Sequence, residues 1–424
     1  MIQNRQLTTI DNGLRVLTTH VPAAQSAATA FFVRVGSRNE EPKINGLSHF
    51  IEHMLFKGTE NLPEATLIAQ AVEGAGGNLN AYTSKELTCY WNNLPYEQAK
   101  IGIEILADMI QHSLFEAVEI DRERTVVQQE IRRTFDNPGS FVGELLARAV
   151  FGNQPIGWPI AGCIESVDAI QSSDLLRHMT KHYKAENAVL SVSGNIQHEQ
   201  VVEWASAAFK DLPRGSAPTA LASTPGRPDD YIQLDPRELE QTNIALSMRG
   251  LARKDPDRHA FDLMSTALGR GMSSRLFQEV RERRGLAYSV SAGGARYSDT
   301  GSFTVNAGVT RENQEAAIEV ILSELRKLVD EPIDENELQR TKDYVCGSFR
   351  LSLETPMALG QHYGTQLLMD DEIEQPEETV SALRAVSSEK IQQVAKRVIG
   401  PSTFSIAVVG PTAETAQLQS LIDD

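Results

Sequence analysis

Short apolar runs alternate along the chain with longer segments in which apolar residues recur every three or four positions. The short runs predict strands at residues 27–35, 88–94, 188–194, 242–248, 302–309 and 404–410. The longer periodicity predicts helices at 96–112, 120–133 and 312–329. Because these elements do not follow a regular βαβ alternation, we expect an α+β fold with antiparallel-rich sheets covered by helices.

The order of the elements repeats, which indicates an internal duplication. The strands at 27–35 and 242–248 are each followed by a polar loop and a helix-like segment, and the strands at 188–194 and 404–410 both end in glycine. Residues 213–228 contain four prolines and two glycines without apolar periodicity, as linkers do. We therefore predict two duplicated domains, residues 1–213 and 229–424, joined by a Pro/Gly-rich linker at 214–228.

Composition narrows the possible partners and compartments. With 57 acidic and 40 basic residues the net charge is −17, which disfavours nucleic acid and suits basic peptides or small cations. The three cysteines are far apart and form no Cys-x-x-Cys pair, so we expect no disulfide scaffold and a reducing compartment. The absence of a long apolar run and of a signal-like N-terminus predicts a cytoplasmic protein without a membrane span.

Residues 47–57 form the segment with the clearest chemical potential. On a helical wheel the apolar residues share one side, and His49, Glu52 and His53 share the other. Histidines four residues apart can reach one tetrahedral cation, and Glu52 between them suits a general base for metal-bound water. The alternative is a solvated helix face that holds two histidines by chance.

A third ligand is expected from residues 120–131. Glu123 and Glu130 are seven positions apart and share a helix face with Val127. Carboxylates on an apolar stripe are costly unless a cation or hydrogen bonds compensate for their burial. Glu130 could then bind the metal while Glu123 holds a neighbouring group in place. Alternatively, Glu123 is solvated or paired with Arg122 or Arg124.

The segment from His49 to His53, followed by 76 residues and then Glu130, resembles the inverted zinc motif of the pitrilysin/insulinase peptidases. Chain length and the two-part layout resemble the mitochondrial-processing-peptidase-like branch and its bacterial relatives. The similarity continues through residues 46–48, 55–59, 76–83, 123–131, 273–277 and 284–288, so it spans essentially the whole chain.

This resemblance implies one zinc ion per chain, bound by His49, His53 and Glu130, with Glu52 activating the zinc-bound water. It also implies that Glu123 supports the site from behind the ligands. The segment with Asn80, Ala81 and Thr83 would bind substrate main chain by β-addition. In the second domain, Arg281 and Tyr288 would face the zinc and help to position or stabilise the substrate carbonyl.

The implied function is a zinc endopeptidase that encloses unfolded, preferentially basic peptides between two half-shells. At an offset of about 215 residues, the second domain has no counterpart of the metal ligands, so the resemblance implies an inactive domain there. We expect a homodimer in which Arg281 and Tyr288 act in trans. The alternative is a non-catalytic scaffold or peptide-binding subunit of the same fold, which would have no need for Glu52.

Overall fold

The structure is a computed structural model that describes residues 4–400, 403–411 and 415–423. Its strands are β1 (Asn4–Thr9), β2 (Arg15–His20), β3 (Ser26–Val33), β4 (Asn78–Thr83), β5 (Thr88–Pro95), β6 (Ala188–Gly194), β7 (Ile232–Pro236), β8 (Thr242–Gly250), β9 (Ala287–Arg296), β10 (Gly301–Val309) and β11 (Ser405–Gly410). Its α-helices are α1 (Leu47–Met54), α2 (Ala65–Glu73), α3 (Ala99–His112), α4 (Ala117–Asp136), α5 (Pro138–Phe151), α6 (Ile164–Ala169), α7 (Ser172–His182), α8 (His198–Ala208), α9 (Arg258–Gly269), α10 (Gln314–Asp330), α11 (Glu335–Leu351), α12 (Pro356–Asp370), α13 (Pro376–Ala385), α14 (Ser388–Val398) and α15 (Thr415–Asp423).

Unit 1 is built on a six-stranded sheet of order β1-β2-β6-β3-β5-β4. Only the β2–β6 pair is parallel among its strand pairs within the described residues. One face of the sheet packs against α1, α2, α3, α7 and α8, where Phe31 and Leu190 meet the apolar sides of these helices. Strands β1 and β4 are the two outermost strands, so β4 has one edge of its main chain without a neighbouring strand among the described residues.

Unit 2 repeats this plan with a five-stranded sheet of order β7-β11-β8-β10-β9. The run β11-β8-β10-β9 corresponds to β6-β3-β5-β4 of unit 1, and its pairs are antiparallel as well. Helices α9, α10 and α14 cover one face around Phe261 and Phe303. The α+β fold with two similar domains, each a sheet covered by helices, is therefore confirmed, and the matching strand order supports the duplication.

The two units are not contiguous in sequence, which differs from a single division at the linker. Unit 1 combines the chain up to Ile131 with Pro159–Leu221 and Arg350–Glu374, and unit 2 takes Arg132–Trp158, Ala222–Phe349 and the chain from Gln375 onwards. Helix α12 thus packs on β3 and β6 of unit 1, and α5 packs on β8 and β11 of unit 2. The physical reason is burial of apolar surface, since each helix covers the second face of the sheet it joins.

Within the described residues, every helix is too short or too polar to span a lipid bilayer.

Candidate metal centre

Helix α1 is fixed at its N-terminus by a buried carboxylate. Glu40 accepts hydrogen bonds from the backbone N–H groups of Gly46 and Ser48, both at 2.7 Å, and from the Asn45 side chain at 2.8 Å. Gly46 precedes the helix with φ of 99°, a left-handed conformation that suits glycine. Burial raises the pKa of Glu40 to about 7, although these donors act to lower it. The apolar side of α1 lies in the core, so its polar side faces the site.

His49, His53 and Glu130 converge on one point between α1 and α4. One ligand atom of each lies within 4.8 Å of the others, and no other such group of three occurs among the described histidines, cysteines, aspartates and glutamates. The two Nε2 atoms are 3.3 Å apart, and Glu130 Oε2 lies 3.6 Å from His49 Nε2 and 3.5 Å from His53 Nε2. Two imidazoles and a carboxylate form a donor set that suits zinc.

The two imidazoles have different proton affinities. Burial, and then the neighbouring His53, lower the pKa of His49 to about 4, so its ring is neutral at pH 7 and offers a lone pair. Burial also acts to lower the pKa of His53, but the carboxylates of Glu123, Glu130 and Glu52 raise it above its usual value. This surplus of negative charge around His53 favours a bound cation.

Glu123 lies behind His53, almost completely buried. Its side chain is 4% exposed, with Oε2 3.7 Å from His53 Nδ1 and Oε1 2.7 Å from Lys57 Nζ. Burial acts to raise the pKa of Glu123, but His53 and Lys57 together lower it, which keeps the carboxylate ionised. The alternative pairings do not occur, since Arg122 binds Glu119 and Arg124 binds Asp121 and main-chain carbonyls.

Lys57 is therefore a residue of the site to which the sequence analysis assigned no role. The spacing in the sequence could have indicated this role, because Lys57 is four residues after His53 and a continued helix would place both side chains on the same face. Lys57 lies just beyond the last residue of α1, Met54, in a turn where its N–H still bonds to the carbonyl of Met54.

Glu52 projects from α1 towards β4, where Thr83 meets it. Thr83 Oγ1 donates to Glu52 Oε2 at 2.5 Å. Burial raises the pKa of Glu52, and the hydrogen bond from Thr83 offsets part of that rise. The structure therefore places Thr83 in contact with Glu52, the expected general base. The sequence analysis predicted only a substrate-binding role for Thr83. Asn80 and Ala81 lie on the same strand, with the Ala81 N–H bonded to Asn80 Oδ1.

Arg281 and Tyr288 belong to unit 2, whereas the histidine and glutamate group belongs to unit 1. Arg281 lies in a π-helical segment, Phe277–Glu282, and its guanidinium carbon is 5.8 Å from the centre of the Tyr288 ring. Tyr288 lies at the start of β9 and is 80% exposed, so it is not a core aromatic. The structure thus brings these two side chains together on the surface of unit 2.

Comparison with known families and proteins gives consistent matches. Residues 15–163 match the family described as Insulinase (Peptidase family M16), and residues 169–345 match the Peptidase M16 inactive domain. An uncharacterized zinc protease of Streptomyces coelicolor is 36% identical over 410 residues, which cover 95% of this chain and 89% of that protein. A second, from Bacillus subtilis, is 33% identical over 409 residues, covering 95% of this chain and 98% of that protein.

Solved structures share the fold at lower identity. A protease from Helicobacter pylori superposes with a TM-score of 0.90 at 23% identity, covering 97% of this chain and 100% of that one. A chain of Complex III2 from Candida albicans superposes with a TM-score of 0.84 at 19% identity, covering 98% and 99%. At these identities the superpositions show a shared fold.

Proposed function

The chain belongs to the insulinase family, peptidase family M16, and from that membership we propose that it is a zinc-dependent endopeptidase that cleaves unfolded peptides. The observation that carries this proposal is the convergence of His49, His53 and Glu130, with one ligand atom of each inside 4.8 Å. A surface helix with two histidines by chance would not need a carboxylate from a second helix at the same point.

His49, His53 and Glu130 would hold the zinc ion, which when bound would polarise the scissile carbonyl and lower the pKa of water. Glu52 lies on the same helix and accepts a hydrogen bond from Thr83. Its role is to accept a proton from the attacking water and to donate it to the leaving amine. The raised pKa of Glu52 suits that exchange, since a base with too low a pKa would not retain the proton.

Substrate would bind as an extended strand on the free edge of β4, beside Asn80 and Ala81. This edge has no neighbouring strand among the described residues, so its main-chain groups are open to pairing. Thr83 at the end of the same strand contacts Glu52, which would bring the added strand close to the base. The net charge of −17 supports a preference for basic peptides.

The proposed assembly is a homodimer of the mitochondrial-processing-peptidase-like branch, in which Arg281 and Tyr288 of one chain serve the zinc site of the other. The support for this proposal is the 80% exposure of Tyr288, whose hydroxyl is available to a partner or substrate.

The central experiment compares the initial cleavage rate of a quenched, unstructured basic peptide by the wild type, Glu52→Gln and Glu60→Gln. Glu60 is an exposed carboxylate outside the metal group and serves as the matched control. We expect Glu52→Gln to be at least ~100-fold slower, in the range of general acid–base catalysis, with unchanged zinc content. Equal rates for all three proteins would refute the role of Glu52.

The same experiment separates the non-catalytic alternative. If the zinc-loaded wild type cleaves none of a varied peptide library, the scaffold or peptide-binding function replaces the peptidase. A matched acidic peptide tests the charge preference, which equal rates for both peptides would overturn.

Mixing two inactive variants tests the assembly. If Tyr288 acts in trans, a refolded mixture of Glu52→Gln and Tyr288→Phe contains some dimers with one intact site, and about a quarter of all sites recover under random pairing. If Tyr288 acts within its own chain, no intact site forms and activity stays at the level of the separate variants.

A further inference from the structure

The helix pair that carries the metal group in unit 1 has a counterpart in unit 2. Helix α1 lies between β3 and β4 in sequence, and α9 lies between β8 and β9. Helix α4 follows α3, and α11 follows α10 in the same way. The matching order of both sheets makes α9 and α11 the duplicated equivalents of α1 and α4.

Between α9 and α11 lies a pocket of different chemistry. It opens between the C-terminal end of α9 and the first three turns of α11, and its lining includes Thr266, Arg270, Ser273, Arg340 and Tyr344. No metal-ligating group of histidines, cysteines and carboxylates occurs here among the described residues. The pocket between these equivalent helices is lined by guanidinium and hydroxyl groups rather than by metal ligands.

The positive charge of this pocket is not neutralised. Its one carboxylate, Glu337, is held by Arg275 through two bonds of 2.7 and 2.8 Å. Arg270 and Arg340 are exposed, and within the part of the chain that the structure describes neither has a carboxylate within 4.0 Å. Two uncompensated cations beside a fixed neutral pair stand out in a protein of net charge −17.

Hydroxyl donors complete the lining, and a rigid turn holds the loop that carries one of them. Gly271 adopts φ of 87°, and its carbonyl accepts the N–H of Ser274 at 3.2 Å and the Ser274 hydroxyl at 2.7 Å. Ser274 is 4% exposed, so the turn is anchored. The hydroxyls of Ser273 and Tyr344 make no hydrogen bond to another described residue, which leaves both free to donate.

We propose that this pocket binds a small oxyanion of the phosphate class, either inorganic phosphate or a phosphorylated small molecule. Two guanidinium groups, one from the residue directly after α9 and one from α11, with hydroxyls from a turn and from Tyr344, supply more donors than the two oxygens of a carboxylate can accept. A tetrahedral anion uses such a three-dimensional donor set, and arginine binds phosphate oxygens in pairs. This site is independent of the peptidase chemistry, because all of its residues lie in unit 2.

The test is calorimetric titration of the full-length protein with sodium phosphate at constant ionic strength. Zinc-loaded and chelator-treated protein are compared, because phosphate bound at a metal would disappear with the chelator. We expect saturable binding at about 1 mM or tighter in both forms. Arg270→Gln and Arg340→Gln should each weaken it at least ~10-fold, the size expected for a lost hydrogen bond to a charged group.

The matched control is Arg326→Gln, which removes an exposed arginine of unit 2 outside the pocket. It should leave phosphate binding unchanged, and circular dichroism should show the same fold for all three variants. The proposal is overturned if binding does not saturate, if the chelator abolishes it, or if the pocket variants bind as the control does. Acetate that binds as tightly as phosphate would also overturn it, since a carboxylate would then be the ligand. Glucose 6-phosphate as a second titrant distinguishes a phosphorylated small molecule from free phosphate.

Discussion

Replacing Lys57 by methionine tests the electrostatic support of the metal group. In the native protein Lys57 Nζ lies 2.7 Å from Oε1 of Glu123, whose side chain is 4% exposed. Methionine keeps most of the aliphatic stem and removes the ammonium. The Glu123 carboxylate then remains buried, with His53 as the one ring nitrogen or cation within 4.0 Å among the described residues, at 3.7 Å.

The burial of the two side chains determines how much stability Lys57→Met should lose. Breaking a fully buried ion pair costs about 3–5 kcal/mol because it leaves an uncompensated charge. The Lys57 side chain is 29% exposed, so water replaces part of the lost interaction and the expected loss falls to roughly 1–3 kcal/mol. Groups that orient metal ligands from behind also change metal affinity by about 10–100-fold. We therefore expect zinc affinity to fall about 10-fold.

The assay has two readouts, urea unfolding and competition for zinc with a chromophoric chelator. The control is Lys100→Met, which removes a lysine from an exposed pair with Glu104, 55% and 52% exposed at 3.6 Å. Such a pair contributes about 0.5 kcal/mol or less. The reasoning is refuted if Lys57→Met loses no more stability to urea than the control does and its zinc affinity stays within 2-fold of the wild type. Adding Glu123→Gln to Lys57→Met should recover part of the lost stability, because the stranded charge is then gone.

Three further predictions concern residues of unit 1 and the helices of both units. Thr83→Val should lower kcat ~10-fold or more with little change in KM, because the hydrogen bond to Glu52 is lost, whereas Thr83→Ser should retain activity in the same peptide assay. Burial lowers the pKa of His182 to about 4, so its contribution to stability is lost as pH falls from 6.5 through 4. In urea unfolding, His182→Leu should reduce the slope of the free energy of unfolding against pH over that range by up to about 1.4 kcal/mol per pH unit. A pH profile that runs parallel to that of the wild type would contradict this. Gly364→Ala should destabilise the protein by about 1–3 kcal/mol, because the new methyl collides with a phenylalanine ring of β3, whereas Gly347→Ala, in open space on α11, should stabilise it by up to about 1 kcal/mol in thermal unfolding.

The local parts of the site follow from sequence spacing, and the distant parts do not. His49 and His53 must share a face once α1 forms, so their proximity is a property of one helix. Glu130 is predicted only as a residue on an apolar stripe, and its approach to both imidazoles depends on how α4 crosses α1. The contact between Thr83 and Glu52 depends on the edge strand β4, whose alternation of exposed and part-buried positions is weak.

Strand prediction succeeded where both faces are buried. The run at 188–194 coincides with β6, every residue of which is buried. Strand β1 has the opposite character, because no residue of it is fully buried and Leu7 is its one apolar residue. The helix expected over 47–57 ends at Met54, since Gly58 at φ of 140° and the preceding tight turns divert the chain. That diversion sets the position from which Lys57 reaches Glu123.

The exchange of α5 and α12 was beyond sequence reasoning for a different reason. Both helices begin at a proline and bury apolar residues, and both sheets present an apolar second face. The apolar residues of each helix indicate that it covers a sheet. They do not indicate which sheet, because that choice rests on packing between segments far apart in the chain.

The packing of α5 on unit 2 and of α12 on unit 1 also determines when each sheet can be covered during synthesis of the chain. The sheet of unit 1 is complete once Gly194 has emerged from the ribosome, but the helix that covers its second face ends at Asp370. Until then Phe32, Val189 and their neighbours face solvent or a chaperone. In the same way, α5 is synthesised early, before β8 and β11, and β11 is the last of the described strands. A fragment that ends within the linker lacks α12, and the remaining fragment lacks α5, so each would expose the second face of its sheet until the two fragments associate.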